Sequence, residues 1–144
     1  MLKRYLFAAL LLAISLPAAA GAPVIAVLGD SLSAAYGMPA ERGWVALLQQ
    51  RLAAEGYRHR VVNASISGDT TRGGLARLPA LLEKHRPEVL VVELGGNDGL
   101  RGLPIAETRA NLAQIIDRAQ AAGPLTVLVG VQLLPNYGPA FTRR

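Results

Sequence analysis

The chain has 144 residues, 51% of them apolar and 17% charged, a balance that excludes an intrinsically disordered protein. Its formal charge is +5, but Lys3 and Arg4 precede an apolar leader and the remainder carries only +3, with no Lys/Arg run interleaved with aromatics, so nucleic acid is not an expected partner. The absence of cysteine excludes disulfides, thiolate metal sites and a cysteine nucleophile.

Lys3 and Arg4 are followed by an apolar run over residues 6–16, then Pro17 and Ala18-Ala19-Ala20. This order is that of a signal peptide over residues 1–20 cleaved after Ala20, which implies a periplasmic or secreted protein. The run has about eleven residues against the roughly 20 that span a bilayer, so no stable membrane anchor is expected. An uncleaved N-terminal helix is the alternative, and either form exports the rest. Residues 21–144 then make one domain.

Residues 24–28 form a continuous apolar run rich in β-branched side chains, bounded by Pro23 and by Gly29-Asp30-Ser31, and read as a buried strand. Residues 44–54 carry apolar side chains at helical spacing until Gly56 stops them, and a second strand follows at 60–64. Thr70 and Thr71 can cap a helix that holds Leu75, Leu78, Leu81 and Leu82 on one stripe and ends at Arg86-Pro87. A third strand is expected over 89–94, a helix from Pro104 to near Gly123, and a fourth strand over 125–131. This β/α alternation with non-alternating apolar strands predicts a flavodoxin-like, doubly wound parallel α/β sheet, whose functional residues lie in the loops after the strands.

Those loops hold Gly29-Asp30-Ser31-Leu32-Ser33, then Ser65-Ile66-Ser67-Gly68-Asp69-Thr70-Thr71, then Gly95-Gly96-Asn97-Asp98-Gly99. Ser31 stands at a strand-to-helix turn, where a hydroxyl is exposed and the backbone N–H groups favour developing negative charge. The N–H of Ser31, the N–H of Gly68 and the uncharged amide of Asn97 form a candidate oxyanion hole. Asp30 and Asp69 are expected to hydrogen-bond the two turns in place. Taken singly, Asp30 and Ser31 are ordinary N-cap residues, and Gly68-Asp69 and Asn97-Asp98-Gly99 ordinary turn sequences. Their joint placement on one edge of the sheet sets them apart. Asp30, Asp69, Glu93 and Asp98 are too dispersed to form a metal site, and no cofactor motif occurs. Glu93, charged within an apolar strand, requires a buried partner, for which Arg72 is the candidate.

The three blocks resemble, in order, the nucleophile, glycine and asparagine blocks of the SGNH hydrolases, also called the GDSL family, and most closely its exported bacterial thioesterase and lysophospholipase-like branch. Leu133-Leu134-Pro135-Asn136-Tyr137-Gly138 is similar to the segment after strand four in that branch. The resemblance implies a serine esterase or thioesterase acting on small acyl esters through an acyl-enzyme on Ser31, with lysophospholipid, acyl-CoA and aryl esters as substrate types. It also implies a C-terminal Asp-x-x-His block, a fifth strand and a closing helix, none of which the sequence contains. The chain is therefore expected to be C-terminally truncated, with strand four an open apolar edge, and inactive alone. The complete protein is expected to be a monomer. The two histidines, His59 and His85, fall at the opposite edge of the sheet, out of a base's reach, and are expected to be solvated. Residues 100–103 and 135–138 are the candidate pocket loops. The alternative is a non-catalytic lipid- or anion-binding α/β module, although the Gly29 turn lacks the glycine spacing of a nucleotide site.

Overall fold

A computed structural model describes residues 21–131. The expected leader and the segment 133–138 lie outside the described residues. The elements are β1 (Val24–Gly29), α1 (Trp44–Ala54), β2 (Arg60–Asn63), α2 (Thr71–His85), β3 (Val89–Glu93), α3 (Gly96–Leu100), α4 (Ile105–Ala122) and β4 (Leu125–Leu128). The strands form one parallel sheet in the order β2-β1-β3-β4.

β2 lies on one side of β1 while β3 and β4 lie on the other, so right-handed crossovers put α1 on one face and α2 and α4 on the opposite face. Strand alternation supplies a core to each. Ala26 and Leu28 of β1 and Leu90 and Val92 of β3 pack with Leu78 and Leu81 of α2 and Ile115 and Ala119 of α4. Val27, fully buried, points to the other face, the side of α1 and its buried Val45.

The helices stop where their sequence signals stand. Thr70 caps α2, its side chain accepting from the Gly73 N–H, and Arg86 closes that helix in a left-handed conformation before Pro87. Gly123 at φ +110° closes α4. Strand four is shorter than expected: it ends at Leu128, and pairing persists only through the Val129 N–H donating to the Val92 carbonyl. Leu125, Val127 and Leu128 are exposed, and among the described residues nothing pairs with the outer edge of β4. The short helix α3 was not foreseen, because Gly96-Asn97-Asp98-Gly99 carries no apolar periodicity. Its anchor is a buried carboxylate, as the site shows.

Candidate active site

Gly29 pairs with Glu93, and Val27 with Asn63, so β1, β2 and β3 end nearly level and their loops emerge side by side. The turn after β1 is built on Asp30. Its Oδ1 accepts from the Leu32 N–H at 3.0 Å, and its carbonyl accepts from the Ala34 N–H at 2.9 Å. A regular helix does not follow Ser31: the chain makes turns over residues 31–37 and leaves through Ala35 at φ +58°. Ser31 itself is half-buried, and its N–H has no acceptor among the described residues.

The Gly68 N–H likewise has no acceptor among the described residues, and the Gly68 carbonyl accepts from Arg101 Nη2 at 2.7 Å. Gly68 sits at φ +81°, where an L side chain is strained. Gly68→Ala is expected to cost about 1–2 kcal/mol, read as a shifted urea midpoint at unchanged slope.

Asn97 occupies the same edge, but both of its amide N–H groups are engaged, with Asp30 Oδ2 at 2.9 Å and the Asp69 carbonyl at 2.8 Å. The amide thus joins all three loops and is not free, as it stands, to face an oxyanion. Asp69 uses Oδ1 to accept from the Thr70 N–H at 2.9 Å and Oδ2 to accept from Arg77 Nε at 2.7 Å.

Arg77 was missed in the sequence, where it counts only as an isolated cation. From α2 it also donates to the carbonyls of Ala64, at the end of β2, and of Gly29, at the end of β1. The available signal was its place three residues after Gly74 and four before Leu81, which sets it beside the buried face of α2.

Asp98 is 1% exposed and accepts from both the N–H and the hydroxyl of Thr71. Thr71 Oγ1 in turn accepts from Asn111 Nδ2 at 3.1 Å. This carboxylate stands at the N-terminus of α2, where it satisfies an N–H the helix leaves unpaired. Asp98→Ala is expected to destabilise by about 2–3 kcal/mol through the stranded Thr71 donors, and Asp98→Asn by less; chemical denaturation separates the two.

Arg72 is not the partner of Glu93. Its guanidinium binds Glu107 Oε1 at 2.6 Å on the surface, because α2 covers the face opposite to that of the Glu93 side chain. The partners of Glu93 are in the nucleophile turn: Oε2 accepts from Ser33 Oγ at 2.7 Å and from the Asp30 N–H at 3.5 Å. Burial pushes the Glu93 carboxyl above the usual range; the Ser33 hydrogen bond opposes this and the Asp30 charge adds to it.

An apolar cleft of about 450 Å³ opens beside this turn, lined by Leu32, Trp44, Glu93 and residues 129–131. Trp44 was not foreseen there. Of the expected pocket loops, Leu100 is exposed and residues 135–138 lie outside the described residues. His59 and His85 are partly exposed to solvent, and His59 Nε2 lies 3.7 Å from Glu88. Among the described residues no group of His, Cys, Asp and Glu is placed to hold a metal ion.

Residues 27–144 match the family model of the GDSL-like lipase/acylhydrolases, and the chain belongs to that family. It is 59% identical over 122 residues to Esterase TesA of Pseudomonas aeruginosa, covering 85% of this chain and 61% of that one. It is 50% identical over 120 residues to thioesterase 1/protease 1/lysophospholipase L1 of Escherichia coli K12, covering 83% and 56%. Its fold matches the crystal structure of the psychrotrophic esterase EstA from Pseudoalteromonas, inhibited by monoethylphosphonate, with a TM-score of 0.79 and 48% identity over 83% of this chain and 66% of that one. The chain thus spans about three fifths of the length of the curated relatives it matches.

Proposed function

We propose that the edge formed by Ser31, Gly68 and Asn97 is the acyl-transfer site of an exported serine esterase or thioesterase. The observation that carries this reading is the pair of backbone N–H groups, on Ser31 and Gly68, that have no acceptor among the described residues and stand beside the Asn97 amide on the same sheet edge. Preorganised N–H donors are what a developing oxyanion requires. Ser31 Oγ attacks the carbonyl carbon, and the carbonyl oxygen takes the N–H bonds of Ser31 and Gly68. Asn97 joins them by exchanging the Asp69 carbonyl for the oxyanion while its bond to Asp30 keeps it aimed. Collapse breaks the bond from the carbonyl carbon to the alkoxide or thiolate, which leaves with the proton that Ser31 Oγ released to water, and a second water then hydrolyses the acyl-enzyme to the free acid and Ser31. The cleft between Leu32, Trp44 and Val129 takes the apolar part of the ester. The names of the relatives support lysophospholipids, acyl thioesters and aryl esters as substrate types, and the leader over residues 1–20 supports a periplasmic or secreted location.

The test is covalent. An alkyl fluorophosphonate followed by peptide mass spectrometry is expected to place an adduct on Ser31 and none on the Ser31→Ala chain. An adduct that persists in Ser31→Ala, or none on Ser31 after prolonged exposure, overturns the assignment.

A further inference from the structure

Glu93 has no task in the scheme above, yet it is 3% exposed and sits level with Gly29 directly beneath the nucleophile turn. Its carboxyl meets that turn twice, at Ser33 Oγ and at the Asp30 N–H, while Oε1 is buried with no hydrogen-bond partner among the described residues. Asp30, also 3% exposed, is the charged group beside it. On the same face α1 contributes Trp44 and the segment after β4 contributes Val129 to the cleft wall, neither of them charged. Arg77 reaches the Gly29 carbonyl from α2, on the other face, and among the described residues no cation bonds either carboxyl.

A buried carboxyl with no cation against it resists ionisation. Both Asp30 oxygens have donors, the Leu32 N–H at 3.0 Å and Asn97 Nδ2 at 2.9 Å, whereas among the described residues nothing donates to Glu93 Oε1. An ionised Glu93 would leave Oε1 as an unpaired buried charge.

We propose that Glu93 is a positioning residue for the nucleophile turn, holding Ser33 and the Asp30 N–H from beneath while its own carboxyl carries a proton. The proposal rests on the reading of Ser31 as nucleophile. Loss of that proton puts a negative charge next to the N–H groups that must receive an oxyanion, and the turn loses its fixed floor. Because burial and the Asp30 charge raise the folded-state value, the folded chain holds the proton where the unfolded chain has released it. Stability therefore falls as pH rises from the ordinary glutamate range through the raised value, and levels off above it.

NMR on the 144-residue chain tests this without turnover. Over pH about 4 to about 9, the ¹³C-carboxyl signal of Glu93 is expected to titrate above the ordinary glutamate range. The Ser31 and Leu32 amide signals are expected to move with the same midpoint while the distant Gly123 amide stays still. Glu93→Gln, which keeps the acceptor and cannot ionise, is expected to hold those amides at their low-pH positions throughout. Titration of Glu93 in the ordinary range, or turn amides that ignore its midpoint, overturns the proposal; the unsubstituted chain decides this even if the variant does not fold. Absence of a phosphonate adduct on Ser31 overturns the esterase reading by itself, whereas unmoved amides overturn only the role of Glu93.

Discussion

A polypeptide of these 144 residues is expected to take up an alkyl fluorophosphonate at Ser31 on the order of 10⁴-fold more slowly than a serine hydrolase with its histidine in place. The sequence holds two histidines, and both stand at the amino ends of strands. His59 precedes Arg60, which pairs with Val24, whereas Ser31 follows Gly29 at the other end of β1. Those ends are separated by roughly 17 Å of strand, against the reach of about 3 Å that a general base needs. His85 ends α2, four residues before β3, whose Val89 pairs with Ile25 at the same far edge. The backbone donors at Ser31 and Gly68 survive this deficit and supply what reactivity remains. Two outcomes follow. His59→Ala and His85→Ala are expected to leave the labelling rate within about twofold, and added imidazole is expected to raise it in proportion to its neutral fraction. A large loss in either histidine variant would show that the far edge of the sheet reaches the serine after all.

The parallel sheet was legible because the strands are short apolar runs carrying β-branched residues, β1 and β3 closed by glycines, and each long helix has a clear stop. The three polar blocks were legible as neighbours for the same reason: strands of similar length in one parallel sheet deliver their following loops to one edge. What the sequence hid depends on which face a side chain takes. Glu93 and Arg72 make a plausible ion pair on paper, yet alternation along β3 sends the carboxyl to the α1 side while α2 carries the arginine on the other. α3 forms around the Asp98–Thr71 contact, a tertiary interaction across 27 positions that no local period announces. The engagement of both Asn97 N–H groups was equally hidden. Their acceptors are Asp30, 67 positions away, and the Asp69 carbonyl, 28 positions away.

Arg77→Met is expected to destabilise the fold by about 2–3 kcal/mol and to slow Ser31 labelling as well. Three bonds converge on one guanidinium: Nε to Asp69 Oδ2 at 2.7 Å, Nη2 to the Gly29 carbonyl at 3.2 Å, and Nη1 to the Ala64 carbonyl. The Asp69 side chain is 11% exposed and that of Arg77 23%, so methionine strands a carboxylate and two strand-end carbonyls in a site water reaches poorly. Breaking a fully buried pair costs about 3–5 kcal/mol; partial exposure of the arginine lowers that figure. In a domain of this size the loss corresponds to a drop in Tm of roughly 10 °C. Lysine carries the charge but not the planar fork, so Arg77→Lys is expected to retain the Asp69 contact and lose at least one carbonyl. Because these carbonyls end β1 and β2, their release lets the Ser31 and Gly68 turns separate, and labelling slows beyond what partial unfolding explains. Adding Asp69→Asn to Arg77→Met removes the stranded charge. The double variant is therefore expected to recover part of the stability without the labelling rate, a split that a purely structural arginine would not produce.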